Sequence, residues 1–273
     1  MTILERDLVT VVRPDALSFL QSLVSQDVEG LDDGTVVSSL LLTPKGKVQS
    51  WFRLIRVGDD AWLDVEPGFG DALRTALDRF KLREKVEIGV PGEPWGMVAI
   101  RGNLVDGADV AATCRVLPVG WSTDIGVDVI GPRADLSGLA DIGLDADQYE
   151  RARIEAGVPR LGPDLDESTI PQEAWLDRDS VSFTKGCYLG QELVARIDSR
   201  GHVNRVLRWV RPSDAATVLT RDAQIEVDGK SVGRVTSAVP GLALGYVRRE
   251  VEAPSPVTVG GMTAQVESLP GRP

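Results

Sequence analysis

The sequence predicts an α+β protein that ends in a separate unit built from strands alone. Helix and strand patterns alternate up to about residue 202, whereas only strand patterns follow His202. The length of 273 residues also exceeds the usual size of one domain. We therefore expect one α+β core over residues 1–202 and a small β-barrel or sandwich over residues 203–273.

The first predicted elements are a helix and an antiparallel meander. Apolar residues recur at helical spacing over residues 13–28, which predicts an amphipathic helix. Strand patterns then cover residues 35–43, 47–57 and 61–66, with turn residues between them. A second helix is predicted around Leu73, where apolar residues follow at i+3, i+4 and i+7.

Short strands with Gly, Pro and Asp turns continue to about residue 131. A helix is then predicted from Asp145, which forms a potential capping box with Gln148, to the stop signal at Gly157. Residues 157–186 form a long loop without periodicity, and long ordered loops inside compact domains are usually functional. Another amphipathic helix begins at Gly190.

The C-terminal part contains five strand patterns after His202. The dipeptide Asp228-Gly229 between two of them is typical of a two-residue hairpin turn. Strands this short and this closely spaced favour a small closed unit.

Composition excludes several classes of function. The formal net charge is −11, which argues against direct nucleic-acid binding but leaves room for a local basic pocket that holds a small anion. A single histidine, His202, excludes zinc sites with several imidazoles. Two cysteines, Cys114 and Cys187, supply neither a CxxC motif nor four thiolates, so no metal site is predicted.

The chain shows no feature of a secreted or membrane protein. The first ten residues carry Glu5, Arg6 and Asp7 and lack the apolar run of a signal peptide. No stretch approaches eighteen consecutive apolar residues. We expect a cytoplasmic protein with reduced thiols and no membrane contact.

One segment, FTKGCYLGQELVARI at 183–197, places a thiol before a helix. The helix dipole and Lys185 would both favour the thiolate of Cys187, while Gly186 and Gly190 would allow tight or left-handed backbone angles. The alternative is a buried structural cysteine in a glycine-shaped turn. Local sequence does not separate these two interpretations.

Two further candidates lie upstream. Glu155 could accept hydrogen bonds from an aminopyrimidine edge and Arg153 could hold a carboxylate, but i,i+4 pairing of Arg151 with Glu155 on a solvated helix face is the simpler interpretation. Trp175 could stack on a flat heterocycle, although core filling is the commoner role of an isolated tryptophan.

These segments together resemble the YgfZ family of folate-binding proteins, which are relatives of the glycine-cleavage T-protein. The resemblance rests on KGCYLGQE at 185–192 after RIEAGVPRLGPDLDESTIPQEA at 153–174, with supporting matches at 15–28 and 233–249. It implies a T-protein-like ring of two α+β units, one of them ferredoxin-like, around a tetrahydrofolate site, followed by an antiparallel β-barrel. It also implies a functional Cys187 and a set of cofactor-binding residues: Asp27, Arg153, Glu155, Trp175, Lys185, Gly186, Tyr188, Gln191 and Glu192.

One departure from the T-protein is informative. Where that enzyme has a stretch with a catalytic aspartate, this chain has KGKVQSWFRL, with Ser50 and Trp51 at the aspartate positions. A hydroxyl and an indole cannot relay charge as a carboxylate does at neutral pH. Aminomethyl transfer is therefore not expected.

The resemblance implies a folate-binding accessory protein that supports synthesis or repair of iron–sulfur clusters in client enzymes, including radical enzymes that modify transfer RNA. Its partners would be folate and iron–sulfur client or assembly proteins. The enzyme alternative is a tetrahydrofolate-dependent one-carbon transferase, such as an aminomethyltransferase. A third possibility is an interaction module that has lost folate binding.

Overall fold

The computed structural model describes residues 3–102, 110–121 and 125–272. The helices are α1 Ala16–Leu23, α2 Gly70–Asp78, α3 Ala146–Glu155 and α4 Gln191–Arg200, with short 3-10 helices at Ser137–Leu139 and Pro171–Ala174. The strands are β1 Leu4–Val12, β2 Val36–Leu42, β3 Val48–Val57, β4 Asp60–Val65, β5 Glu87–Gly89, β6 Trp95–Arg101, β7 Arg115–Pro118, β8 Gly126–Pro132, β9 Arg205–Pro212, β10 Gln224–Val227, β11 Lys230–Val239, β12 Leu242–Arg248, β13 Ser255–Val259 and β14 Met262–Glu267.

One antiparallel sheet organises the N-terminal part. Its order is β2-β3-β4-β1-β6-β8-β7, and β5 also pairs with β1. Residues 7–11 of β1 pair with β4, whereas residues 4–6 pair with β6. The strand β1 therefore joins the predicted meander β2–β3–β4, which is confirmed, to the strands that follow α2.

The C-terminal strands close into a barrel in the order β10-β11-β12-β9-β14-β13. This confirms the all-β unit that the sequence predicts. Asp228 and Gly229 have φ values of 49° and 72°, the positive angles that a type I′ hairpin turn requires. The predicted α+β character of the preceding part is confirmed as well.

The barrel and the preceding part share one hydrophobic core. Leu207, Leu244 and Tyr246 of the barrel belong to the same buried cluster as Leu20 of α1 and Leu54 of β3. Burial of apolar surface at about 25 cal/mol per Å² makes such a shared core the main stabilising contribution. A second apolar cluster fills the interior of the barrel itself.

The first helix is shorter than the sequence predicts. It ends at Leu23 instead of continuing to residue 28. The backbone N–H of Ser25 donates to the carbonyl of Leu40, and the N–H of Leu40 donates to Ser25 Oγ. Pairing with β2 therefore outcompetes continuation of the helix. The capping box of Asp145 with Gln148 at the start of α3 is present as predicted.

Among the helices in the described residues, none is both long and apolar enough to span a membrane.

Candidate functional site

A cavity of about 570 Å³ lies between the sheet, α3 and the segments 176–180 and 270–272. This volume is within the range of sites for cofactor-sized ligands. Trp51 of β3, Trp121 and Tyr149 of α3 supply aromatic surface to it. The rings of Trp121 and Tyr149 are 5.5 Å apart at 49°, and the guanidinium of Arg101 lies 4.8 Å from the Trp121 ring.

Ion pairs neutralise the sheet side of the cavity. Arg53 contacts Asp64 and Asp128 at 2.6 Å each, and Arg6 contacts Asp64 at 2.8 Å and Glu66 at 2.6 Å. Burial by itself would raise the pKa of Asp64, but Arg53 and Arg6 outweigh it and hold that pKa below its ordinary value. Burial, reinforced by Asp128, raises the pKa of Tyr149, so its hydroxyl stays protonated.

Three arginines outside the sheet also line the cavity: Arg153, Arg178 and Arg272. Arg153 is 2% exposed and bonds to Asp164 at 2.9 Å and Glu150 at 2.5 Å. Arg272 Nη2 lies 3.4 Å from Asp179, whereas its Nη1 is buried and has no hydrogen-bond partner among the described residues. Burial lowers the pKa of Arg272. An anion in the cavity would satisfy the unpaired donor.

The charge of the cavity is opposite to the charge of the chain. Among the described residues, five arginines and three acidic residues line it, although the whole protein carries a net charge of −11. Each of the three lining acids, Glu66, Asp128 and Asp179, is in an ion pair with an arginine. The described lining therefore offers donors and aromatic faces and keeps its carboxylates occupied.

The Ser50-Trp51 pair, which the sequence resemblance puts at the aspartate positions of the T-protein, lies on β3. Ser50 is 3% exposed, and its buried Oγ has no partner among the described residues. Trp51 lines the cavity, and its Nε1 donates to Ser180 Oγ at 3.0 Å. Indole therefore forms part of the cavity wall at this position.

The loop that carries Cys187 lies beside the C-terminal end of α1. Cys187 is exposed, whereas Cys114 is buried in an apolar cluster. Burial raises the pKa of the Cys114 thiol. Lys185 Nζ donates to three backbone carbonyls near Asp27 instead of reaching into the cavity. Burial lowers the pKa of Lys185 to about 8, while Asp27 and Glu29 oppose that shift.

Residues on both sides of Cys187 are fixed in the structure. Tyr188 is 9% exposed and belongs to the main core, and burial raises its pKa to about 12. Gln191 Oε1 accepts from the Tyr188 N–H at 3.2 Å. Asp27 Oδ1 accepts from Gln21 Nε2 at 3.1 Å. The structure thus places Lys185 near Asp27 at the end of α1 and Tyr188 beside Gln191 at the start of α4.

The two glycines of this loop differ. Gly190 has φ of 77°, as expected, and caps α4. Gly186 is outside the left-handed region, and a Cβ there would meet no atom within 4 Å. Of the two glycines that allow a left-handed angle, Gly190 adopts one and Gly186 does not.

Three other predicted residues lie away from the cavity lining. Glu155 is exposed, pairs with Arg151 at 3.0 Å and borders a shallow groove next to the barrel. This pairing is the simple alternative that its i,i+4 spacing allows. Trp175 packs against the core and donates to the Leu207 carbonyl at 3.1 Å. Glu192 is exposed in the first turn of α4.

Several cavity residues are absent from the sequence prediction: Arg6, Arg53, Trp121, Tyr149, Arg178 and Arg272. The sequence contains only a weak indication of these residues. Arg53 interrupts the apolar pattern of β3, and a charged residue within a strand of a buried sheet needs a partner. The rest come from distant parts of the chain and meet only in the fold.

The comparisons with known proteins agree with this architecture. Residues 210–270 match the family profile "CAF17, C-terminal beta-barrel domain". The "tRNA-modifying protein YgfZ" of Klebsiella pneumoniae (strain 342) is 28% identical over 88% of this chain and 80% of that protein. The "Iron-sulfur cluster assembly factor IBA57 homolog, mitochondrial" of Mycosarcoma maydis is 30% identical over 73% of this chain and 54% of that protein. The chain is YgfZ-like.

The fold of this YgfZ-like chain resembles that of a solved structure. The glycine cleavage system aminomethyltransferase T from Bartonella henselae superposes with a TM-score of 0.80 at 19% identity, over 97% of this chain and 83% of that one. The T-protein fold that the sequence predicts is thereby confirmed, while the predicted resemblance to YgfZ is confirmed by the relatives above.

Proposed function

We propose that this YgfZ-like chain binds tetrahydrofolate in its central cavity and supports iron–sulfur cluster synthesis or repair in client enzymes of the cytoplasm. The clients would include enzymes that modify transfer RNA. Two relatives are named for transfer-RNA modification and for iron–sulfur cluster assembly. We assign most of the ligand-binding site to residues 1–202, whereas residues 203–273 form the barrel and contribute Arg272 to one wall of the cavity.

The observation that carries the folate proposal is the charge and shape of the cavity. Tetrahydrofolate combines a reduced pterin, whose pyrimidinone ring is planar, with an anionic glutamyl tail. The cavity offers the aromatic faces of Trp51 and Trp121, and the buried Nη1 of Arg272 lacks a partner among the described residues. Stacking on aromatic rings and charge-assisted bonds to a carboxylate fit both parts of the ligand.

Cys187 is the residue proposed to handle sulfur or iron. Its side chain is exposed, so a partner protein can reach it. It would act as a transient ligand or as a redox thiol. Because one cysteine cannot hold a cluster, further ligands would come from a partner, a second chain or glutathione. The cluster is then the cargo of the protein and not its resident group.

Titration with tetrahydrofolate, followed by calorimetry and by tryptophan fluorescence, tests the ligand. We expect binding with a Kd of micromolar order, since typical metabolite sites fall in that range. Arg272→Met should weaken binding by about tenfold or more, because a charge-assisted hydrogen bond contributes roughly 1.5–3 kcal/mol. Absence of binding by the wild type would refute tetrahydrofolate as the ligand of this protein.

Glu155→Ala is the matched second variant for that titration. The exposed position of Glu155 outside the cavity lining predicts an unchanged Kd, whereas the family resemblance implies a pterin contact. A loss of about tenfold, equal to 1.4 kcal/mol, would show that Glu155 turns towards the ligand when it binds. The comparison with Arg272→Met identifies which side of α3 faces the folate.

A further inference from the structure

The ammonium of Lys185 is bound by three carbonyls at the end of α1. Lys185 Nζ lies 2.8 Å from the backbone oxygens of Gln21, Val24 and Gln26. A lysine ammonium has three N–H donors, so each donor has one acceptor. The carbonyl of Gln21 has no helical partner, since the Ser25 N–H four residues later donates to Leu40 instead. Lys185 therefore satisfies a carbonyl that the early end of α1 leaves open.

The thiol lies between two fixed residues. Lys185 is attached to α1 on one side of it, and Tyr188 is 9% exposed in the core on the other. Between them, Cys187 is exposed, and a Cβ on Gly186 would meet no atom within 4 Å. The conformation of this exposed pair consequently depends on how firmly its two neighbours are held.

The attachment continues to the wall of the cavity. The Ser182 N–H donates to the Ser25 carbonyl at 2.9 Å, and Ser25 Oγ donates to the Ser180 carbonyl at 2.5 Å. Ser180 Oγ in turn accepts from the indole of Trp51, which lines the cavity. The base of the Cys187 loop and the cavity wall are thus joined through direct hydrogen bonds.

We propose that Lys185 is a positioning residue, which holds the Cys187 loop against the end of α1, and not a ligand-binding residue. Its significance rests on the proposed role of Cys187, whereas the attachment itself does not. All three N–H donors point to backbone acceptors, which leaves none for a ligand in the cavity. An arginine cannot replace this lysine, because the N–H donors of a guanidinium lie in one plane on three nitrogens. The three carbonyls instead surround a single nitrogen whose N–H bonds point in three different directions.

The test compares hydrogen–deuterium exchange in the wild type, Lys185→Met and Lys185→Arg. We expect amides of residues 182–187 and 24–26 to exchange about tenfold faster in Lys185→Met, because the local opening loses its main barrier. Lys185→Arg keeps the charge, but its amides in these segments should exchange nearly as fast as those of Lys185→Met. Lys230→Met, at an exposed position in the barrel, is the control and should leave these amides unchanged.

Two outcomes would overturn the assignment: unchanged exchange in Lys185→Met, or full protection in Lys185→Arg, which would show that charge alone suffices. Nitrogen-detected NMR of the wild type gives a second measurement that needs no variant. The ammonium protons of Lys185 should exchange with water much more slowly than those of Lys230, and equal rates would also refute the proposal. Failure of the wild type to bind tetrahydrofolate would remove the proposed function without affecting any of these readouts.

Discussion

Asp164 connects the α+β core to the barrel through hydrogen bonds, and its replacement should lower the free energy of unfolding. Its side chain is fully buried. One carboxylate oxygen accepts from Arg153 Nη1 at 2.9 Å and from the Arg160 N–H at 2.9 Å. The other accepts from the hydroxyls of Thr236 at 2.5 Å and Ser237 at 2.8 Å, both on β11. Four donors therefore converge on a single side chain.

The expected cost of Asp164→Asn follows from these contacts. Removing one partner of a buried ion pair costs about 3–5 kcal/mol, because the remaining charge is left uncompensated. Arg153 keeps Glu150 and the Val158 carbonyl as partners, which places the expected loss at the lower end, about 3 kcal/mol. Thr236→Val removes only one hydroxyl donor and should cost about 1 kcal/mol.

Urea unfolding followed by tryptophan fluorescence measures both losses, and hydrogen–deuterium exchange of β11 reports whether the barrel loosens first. Because Arg153 also lines the cavity, Asp164→Asn should weaken tetrahydrofolate binding as well, while Thr236→Val should leave it unchanged. A loss for Asp164→Asn no larger than that for Thr236→Val, about 1 kcal/mol, would refute the idea that this carboxylate joins the two parts.

Further outcomes are expected for glycine cleavage, for Cys187 and for Glu150. Because the sequence resemblance puts Ser50 and Trp51 at the aspartate positions of the T-protein, the protein should not support glycine cleavage in place of the T-protein, and turnover comparable with that enzyme would contradict this. Iodoacetamide should label the exposed Cys187 before the buried Cys114 in the native protein. Cys187→Ser should fold, yet fail to restore the activity of iron–sulfur enzymes in a strain lacking the protein. Full restoration of that activity would show that the thiol is dispensable. Burial by itself would raise the pKa of Glu150, but Arg153 outweighs it, so the folded-state pKa lies below the unfolded value of 4.5. The stability that this ion pair contributes is present above pH 4.5 and is lost as the pH falls through the lower, folded-state pKa. The free energy of unfolding of Glu150→Gln should therefore decline less on acidification than that of the wild type. Parallel declines of the two proteins would count against the ion pair.

Local patterns were sufficient for most elements of the fold. The meander β2–β4, the helices α2 and α3 and the strands β9–β12 follow from periodicity, caps and turn residues. The strand β1 was missed because Arg6 and Asp7 interrupt its apolar pattern. Arg6 bonds to β4 and Asp7 accepts from Gly68 and Gly70, contacts that exist only after folding. The strand β13 was missed because Pro256 lowers strand propensity.

The candidate site was predictable only in part. The motif 185–192 indicated Cys187, and the α3 motif included Arg153, which lines the cavity. The cavity as a whole is built from β1, β3, α3 and residues 270–272, and no periodicity connects residues so far apart in the chain. Lys185 shows the same limit: its motif position indicated importance, but its three carbonyl acceptors lie about 160 residues earlier in the chain.

The close fit of Gly190 against the β2–β3 turn affects how variants of this motif will behave in genetic screens. A Cβ at residue 190 would lie 2.4 Å from the Thr43 carbonyl oxygen, and the φ of 77° disfavours any other residue. Substitution there should lower the amount of folded protein in the cell, whereas substitution of Cys187 should leave that amount unchanged. A screen that scores growth alone would rank the two positions together, although one fails through abundance and the other through chemistry. Measuring protein level beside growth separates them.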